Sequence, residues 1–328
     1  MRFNDIIGNN NIKLQLTIAS EAARINNEAI PHTLFTGASG CGKTTMSKAL
    51  AIHQGAGMLK VPSESLKTSK DVYELIEKLS VEGYTKEGLK VSKIKPTIIF
   101  LDEIHRLPTN GQESLGIAME EHYIVTKNQY TGENWEMWVP QFTIIGATTL
   151  AGKLSKPFRD RFRMGFHFKT YNLEETTQIA IKHAEINKMQ ITQDAAEAIA
   201  SRARGVPRIV VNLLYRVWDA VVVLKRDTIT MDECSSVFNI IGIDKNGLLY
   251  TDIKYLKTMY ETGVPLGLDT TSILLNESPE TIQNSTEPYL IQQGLLIRTS
   301  RGRIISKKGV EYLKENGYIE IGRKFAPH

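Results

Sequence analysis

Between residues 11 and 30 the apolar positions Ile12, Leu14, Leu16, Ile18, Ala22 and Ile25 gather on one broad side, which predicts an amphipathic helix. Thr33-Leu34-Phe35-Thr36 then reads as a short strand, followed by a glycine-rich turn and a helix from about Thr44 to Gln54. Thr97–Leu101 and Phe142–Gly146 are continuous apolar runs. Runs of that kind, separated by helical stretches, suit a parallel sheet buried on both faces. After Phe168 the text changes: residues 173–204 and 208–226 keep a helical period with no buried strand, which predicts a small all-helical domain. The pattern breaks again around Gly242–Gly247. Residues 248–293 read as three short helices, and Leu295–Arg298 and Arg303–Ile305 as two strands around Thr299-Ser300-Arg301-Gly302. Three helices and a hairpin are the pattern of a winged helix. The expected division is 1–170, an α/β domain with a parallel sheet; 171–244, helical; and 245–328, a winged helix.

Composition narrows the class. A chain of 328 residues has room for two or three domains of ordinary size. With 41% apolar and 23% charged residues it is neither disordered nor fibrous. No run reaches the ~18 apolar residues of a membrane span. Met1–Gly8 shows no secretory signal pattern, and Cys41 and Cys234 form no metal or disulfide framework, so a reducing cytoplasmic compartment is expected. The net charge of +4 is unevenly placed: residues 296–328 hold eight basic and three acidic side chains, leaving the rest of the chain slightly acidic. Such a segment fits an electrostatic footprint for nucleic acid and, equally, an ordinary solvated surface.

Gly37-Ala38-Ser39-Gly40-Cys41-Gly42-Lys43-Thr44 matches G-x-x-x-x-G-K-[ST] in full. Gly37, Gly40 and Gly42 let backbone N–H groups turn onto phosphate oxygens, and the helix beginning near Lys43 directs its positive dipole end at the same anion. Lys43 is placed to reach the β- and γ-phosphates of ATP and Thr44 to offer its hydroxyl to Mg²⁺. Cys41 is a variable loop position and Thr45 follows in the same turn; both count among the nucleotide-lining residues. The run Thr97–Leu101 ends in Asp102-Glu103, the form of a Walker B motif, where Asp102 would hold Mg²⁺ and Glu103 would polarise the attacking water. His105 and Arg106 follow with no assigned role. Thr148-Thr149, at the end of the third apolar run, suit contact with the γ-phosphate and equally well ordinary strand-end capping. Arg159, Arg161 and Arg163 are either a surface cluster or the carriers of an arginine finger.

Taken together, Leu101-Asp102-Glu103-Ile104-His105-Arg106-Leu107, Phe142–Thr149, Lys156–Phe162, Arg204-Gly205-Val206-Pro207-Arg208, Gly267–Thr270, Glu287–Leu296 and Arg298–Arg303 resemble the RuvB family of AAA+ ATPases, from about Ile7 to Leu313. The resemblance implies an AAA+ P-loop NTPase domain, an all-α lid and a C-terminal winged helix. It also implies a homo-hexameric ring around duplex DNA that drives Holliday junction branch migration with ATP and Mg²⁺. It carries sensor 1 to Thr149, with Thr148 beside it, and the arginine finger to Arg161, with Arg159 second. Sensor 2 falls on Arg208, preceded by Pro207, and Ile6 and Ile7 would lie against adenine. Arg298, Arg301 and Arg303 become candidates for phosphate contacts, which position a protein without reading sequence. The chain departs from the family at Leu150, where an arginine is usual, and most of all in His122–Pro140. There the family has a hairpin whose apolar tip docks on RuvA. Here Tyr130, Trp135, Met137 and Trp138 suit a protein-binding anchor, and also packing back onto the ATPase domain. A divergent member results, whose partner is a RuvA-like or another protein. An AAA+ loader or remodeller that places a partner on DNA is the alternative reading; it usually lacks the winged helix. A passive nucleotide-switched scaffold would have no use for Lys43, Asp102, Glu103 and Arg161 together.

Overall fold

The computed structural model describes residues 2–77, 80–84, 90–94, 97–121, 123–127, 134–138 and 142–320. The chain divides into two compact units. The first runs to Tyr171 and takes in Val206–Arg208; the second comprises Asn172–Gly205 and the chain from Ile209 onward.

The first unit opens with helix α1 (Asn10–Asn26), ended by Asn27 in the left-handed region that Asn tolerates at a helix C-terminus. That stop falls earlier than the apolar pattern predicts. The buried line is Ile12, Leu16, Ser20 and Ala23, whereas Leu14, Ile18 and Ile25 are exposed. Five strands form the sheet: β1 (Thr33–Gly37), β2 (Gly57–Pro62), β3 (Thr97–Asp102), β4 (Thr143–Thr148) and β5 (Met164–Phe168). Their order is β2-β3-β4-β1-β5, all parallel. The three central strands are those predicted, β3 and β4 from apolar runs and β1 from the short pattern Thr33–Thr36. The edge strands β2 and β5 were not expected, because only Val61 of β2 is buried and β5 buries only Phe166 and Phe168. Helices α2 (Lys43–Gln54), α3 (Ser69–Glu77), α4 (Thr109–Glu121) and α5 (Lys156–Asp160) lie in the crossovers. One core side joins Leu34, Ile99, Leu101 and Ile144 to Leu115 of α4 and Phe158 of α5. Parallel pairing brings the C-terminal ends of β1, β3 and β4 to one edge, where open α/β sheets bind ligands.

The second unit begins with α6 (Leu173–Ile186), whose capping box pairs Asn172 with Glu175. It continues with α7 (Gln193–Arg202), with α8 (Pro207–Val223) from Ile209 onward, a helix that starts on a proline as helices favour, and with α9 (Met231–Ile241). The predicted all-helical segment also holds a two-residue parallel ladder, Gln190–Ile191 with Thr228–Ile229. The winged helix follows: α10 (Tyr250–Thr262), α11 (Leu268–Leu275), and a third helix in pieces. Those pieces are α12 (Pro279–Thr281), a π-helical turn (Ile282–Thr286) and α13 (Glu287–Gln292). Strands β6 (Leu296–Thr299) and β7 (Gly302–Ile305) form the wing, and α14 (Lys307–Glu315) closes a core of Tyr255, Leu256, Met259, Leu290 and Leu313.

Candidate nucleotide site and wing

The loop between β1 and α2 is shaped by glycine. Gly37 has φ +128° and Gly40 φ +80°. A Cβ on Gly37 would fall 2.4 Å from the Phe168 carbonyl oxygen, and one on Gly40 would fall 2.8 Å from Cβ of Arg208. Only glycine fits either place. The loop leads into α2 at Lys43, whose first-turn N–H groups have no partner within the helix and suit an anion. Lys43 is buried, and its ammonium folds back to donate to Gly37 O (2.7 Å) and Ala38 O (2.9 Å). Burial pulls its pKa down, while Glu103 and Asp102 oppose that shift. Thr44 and Thr45 are half-buried in the same turn. Cys41 is fully buried, and burial pushes its thiol pKa up.

Asp102 ends β3, with Lys60 Nζ 2.9 Å from its Oδ2 and the Ser63 hydroxyl donating to its carbonyl (2.7 Å). Glu103 sits at φ +47°, a strained conformation for a residue with a Cβ and a mark of functional sites. Its Oε2 accepts from the Thr149 hydroxyl (3.2 Å) and backbone N–H (3.4 Å) and lies 3.1 Å from His105 Nδ1. The two threonines therefore separate. Thr149 meets Glu103, whereas Thr148 is buried, with its hydroxyl 2.9 Å from His105 Nδ1 and accepting from Leu150 N–H. Burial lowers the pKa of His105, with Glu103 pulling the other way. Sequence reading gave His105 and Lys60 no role; their placement depends on strand register, with Lys60 beside Phe100 in the β2–β3 ladder.

Arg208, in the first turn of α8 after Pro207, donates from Nη1 to the Ser39 hydroxyl (3.0 Å) and from its backbone N–H to Gly40 O (3.4 Å). Ile6 and Ile7 are half-buried, and Lys13 donates to Ile6 O (2.7 Å). A relay that sequence reading missed ties this N-terminal segment to the loop: Asn9 Nδ2 donates to the Tyr171 hydroxyl (2.7 Å), which donates to Cys41 O (3.3 Å). Arg161 donates from Nε to Glu120 (3.0 Å) and from Nη1 to Pro157 O (3.1 Å), over Gly116 of α4. Arg159 and Arg163 are exposed.

In the wing the three arginines do not share one environment. Glu287 is buried and accepts from the Tyr255 hydroxyl (2.8 Å) and Arg303 Nε (2.7 Å), with Arg298 Nη2 at 3.0 Å. Arg303 is 12% exposed and committed to that carboxylate; Arg298 is 51% exposed, and Arg301 is exposed at the wing turn. The ladder Tyr123–Lys127 with Asn134–Trp138 pairs Thr126 with Trp135, Ile124 with Met137 and Tyr123 with Trp138. Tyr130 lies outside the described residues.

Three family models match in succession: the Holliday junction DNA helicase RuvB P-loop domain over residues 1–168, the RuvB AAA lid domain over 171–244 and the RuvB C-terminal winged helix domain over 245–314. The chain is 36% identical over 315 residues to the Holliday junction branch migration complex subunit RuvB of Streptococcus thermophilus, covering 95% of this chain and 90% of that one. It is 36% identical over 316 residues to the subunit of the same name from Ehrlichia ruminantium, covering 96% and 91%. Among solved structures it resembles the RuvB Holliday junction branch migration motor of Thermotoga maritima, with a TM-score of 0.77 at 32% identity over 94% of this chain and 95% of that one. With the P-loop, the Asp102-Glu103 pair and the winged helix all present in one chain, these matches place it in the RuvB family.

Proposed function

We propose that this chain is an ATP-driven duplex-DNA translocase that moves Holliday junction branches, in three functional parts: the ATPase domain to about residue 170, the lid over 171–244 and the winged helix beyond. The observation that carries the reading is the meeting of Lys43, Asp102, Glu103 and Thr149 at the strand ends of a P-loop fold, in a chain that also bears a wing. The loader alternative is not favoured, because a winged helix of the RuvB type follows the lid.

Hydroxyl and carboxylate oxygens of Thr44 and Asp102 suit Mg²⁺, which takes one or two protein oxygens together with phosphates and water. Bound with ATP, the ion would neutralise charge on the phosphates. The remaining work falls to side chains. Lys43 leaves the Gly37 and Ala38 carbonyls for the phosphates. Glu103 takes a proton from the attacking water, held for that task by Thr149. Pro207 and Arg208 sense the nucleotide from the start of α8, and Ile6 and Ile7 shield its base. Arg161 acts on the ATP of a neighbouring subunit in a homo-hexamer. Arg301 and Arg298 bind DNA phosphates, while Arg303 builds the wing. The hairpin bearing Trp135, Met137 and Trp138 docks a RuvA-like partner. No described helix is long and apolar enough to cross a membrane, and both cysteines are free and buried.

The test is steady-state ATPase with and without duplex DNA. Turnover stimulated by DNA and abolished by Glu103→Gln is expected. Turnover indifferent to DNA in the presence of a RuvA-type protein would overturn the motor reading.

A further inference from the structure

Arg204 stands four residues before Arg208 in the Arg-Gly-Val-Pro-Arg motif, yet its guanidinium contacts lie away from the nucleotide loop. Its guanidinium is instead spent on the winged helix at three points. Nε donates to Gly247 O (2.7 Å), Nη2 is ion-paired with Asp252 in the first turn of α10, and the guanidinium carbon lies 4.3 Å from the Tyr289 ring centroid on α13. Each partner is itself fixed. Asp252 is buried and accepts from Leu249 N–H (2.7 Å). Tyr289 donates its hydroxyl to Asn246 O (2.7 Å). Gly247 has no room for a side chain, since a Cβ would fall 2.7 Å from Arg202 O. Arg204 is only 13% exposed. A guanidinium with a buried carboxylate, a carbonyl and a ring face arranged around it is a fitted joint, one that lysine's single ammonium cannot reproduce.

The backbone on the other side of Arg204 is distinctive. Arg204 (φ +55°) and Gly205 (φ +69°) are consecutive left-handed residues. The next three, Val206–Arg208, belong to the P-loop unit, where Val206 and Arg208 close on Gly40. A residue that grips the winged helix is thus separated from the nucleotide loop's neighbours by a single glycine.

We propose that Arg204 is a positioning residue that fastens the winged helix to the lid, so that both follow the Val206-Pro207-Arg208 segment as one body when the nucleotide changes. This rests on the motor reading above. Its consequence is that ATP turnover reaches DNA through the Arg204 joint.

The native cysteines are buried, so spin labels at Glu197→Cys on α7 and Glu261→Cys on α10 report the joint without interference. In the otherwise unaltered full chain one narrow distance is expected, the same with and without ATP. Arg204→Ala should broaden it. The same variant should keep ATP binding and basal ATPase and lose about tenfold in DNA stimulation. Arg204→Lys keeps a charge beside Asp252 and should recover folding and part of the stimulation; it carries the test if the alanine variant does not fold. An unbroadened distance in both variants, or full DNA stimulation with the distance broadened, would overturn the proposal. A parent chain without DNA-stimulated ATPase overturns the motor reading instead, and the distance measurement, which needs no DNA, still decides whether Arg204 holds the joint.

Discussion

Glu287→Ala separates the structural arginine of the wing from the exposed ones. The carboxylate removed is buried, and three donors lose it: the Tyr255 hydroxyl, Arg303 and Arg298. Arg298 is half exposed, so water replaces its partner, and an exposed ion pair contributes at most ~1 kcal/mol. Arg303 is nearly enclosed, and stripping one member from a buried pair costs about 3–5 kcal/mol because the other charge stays behind. The Tyr255 hydroxyl adds a buried donor without an acceptor, a loss that overlaps with the first, so about 4 kcal/mol is a fair total. For a unit of this size each kcal/mol is worth roughly 2–4 °C, which puts the drop in Tm near 8–16 °C. Thermal unfolding followed by circular dichroism reads it. Arg303→Ala should approach the same loss and Arg298→Ala should cost under ~1 kcal/mol. Duplex affinity at low salt should show the reverse order, with Arg298→Ala and Arg301→Ala weakening all sequences alike. Equal destabilisation by Arg298→Ala and Arg303→Ala would refute the reasoning.

Other perturbations probe the nucleotide site and the lid. Arg161→Ala should leave ATP binding intact and lower hydrolysis by about 10³-fold; mixing it with Glu103→Gln subunits should restore turnover, and no rescue at any ratio would exclude action in trans. Gly40→Ala places a Cβ against Arg208 at φ +80°, so ATP affinity measured with a fluorescent analogue should fall about tenfold, and unchanged affinity would contradict the loop geometry. Hydrogen bonding from Thr230 holds the Glu233 carboxyl at about 2, below its ordinary 4.5. Its stabilisation is therefore complete above pH ~4.5 and lost as pH falls toward 2. Acid unfolding should shift with Glu233→Gln, which flattens the stability profile over that window, and a profile identical to the parent's would count against the capping role.

What the sequence reveals follows from how local each feature is. β3 and β4 are legible because strands buried on both faces favour continuous apolar runs, and β1 because a short strand pattern leads directly into the glycine-rich loop. β2 and β5 escape because an edge strand can fold with one or two buried side chains. Lys43, Thr44, Asp102 and Glu103 are legible because their motifs compress the chemistry into a few residues. Lys60, His105, Glu120 and Tyr171 are not, since each reaches the site through register or a crossover. Tyr171, for example, meets Cys41 from 130 residues away. The wing shows the same limit. Its charge is plain in the sequence, but only folding reveals that Glu287 engages Arg303 and leaves Arg301 outward.

The most direct measurement of the central claim uses a synthetic four-way junction with homologous arms, incubated with the chain, a RuvA-type protein and either ATP or a non-hydrolysable analogue. Branch movement with ATP alone, absent in Lys43→Ala and Glu103→Gln, is the predicted result. Hydrolysis of ATP without any movement of the junction, with the partner present, would contradict it.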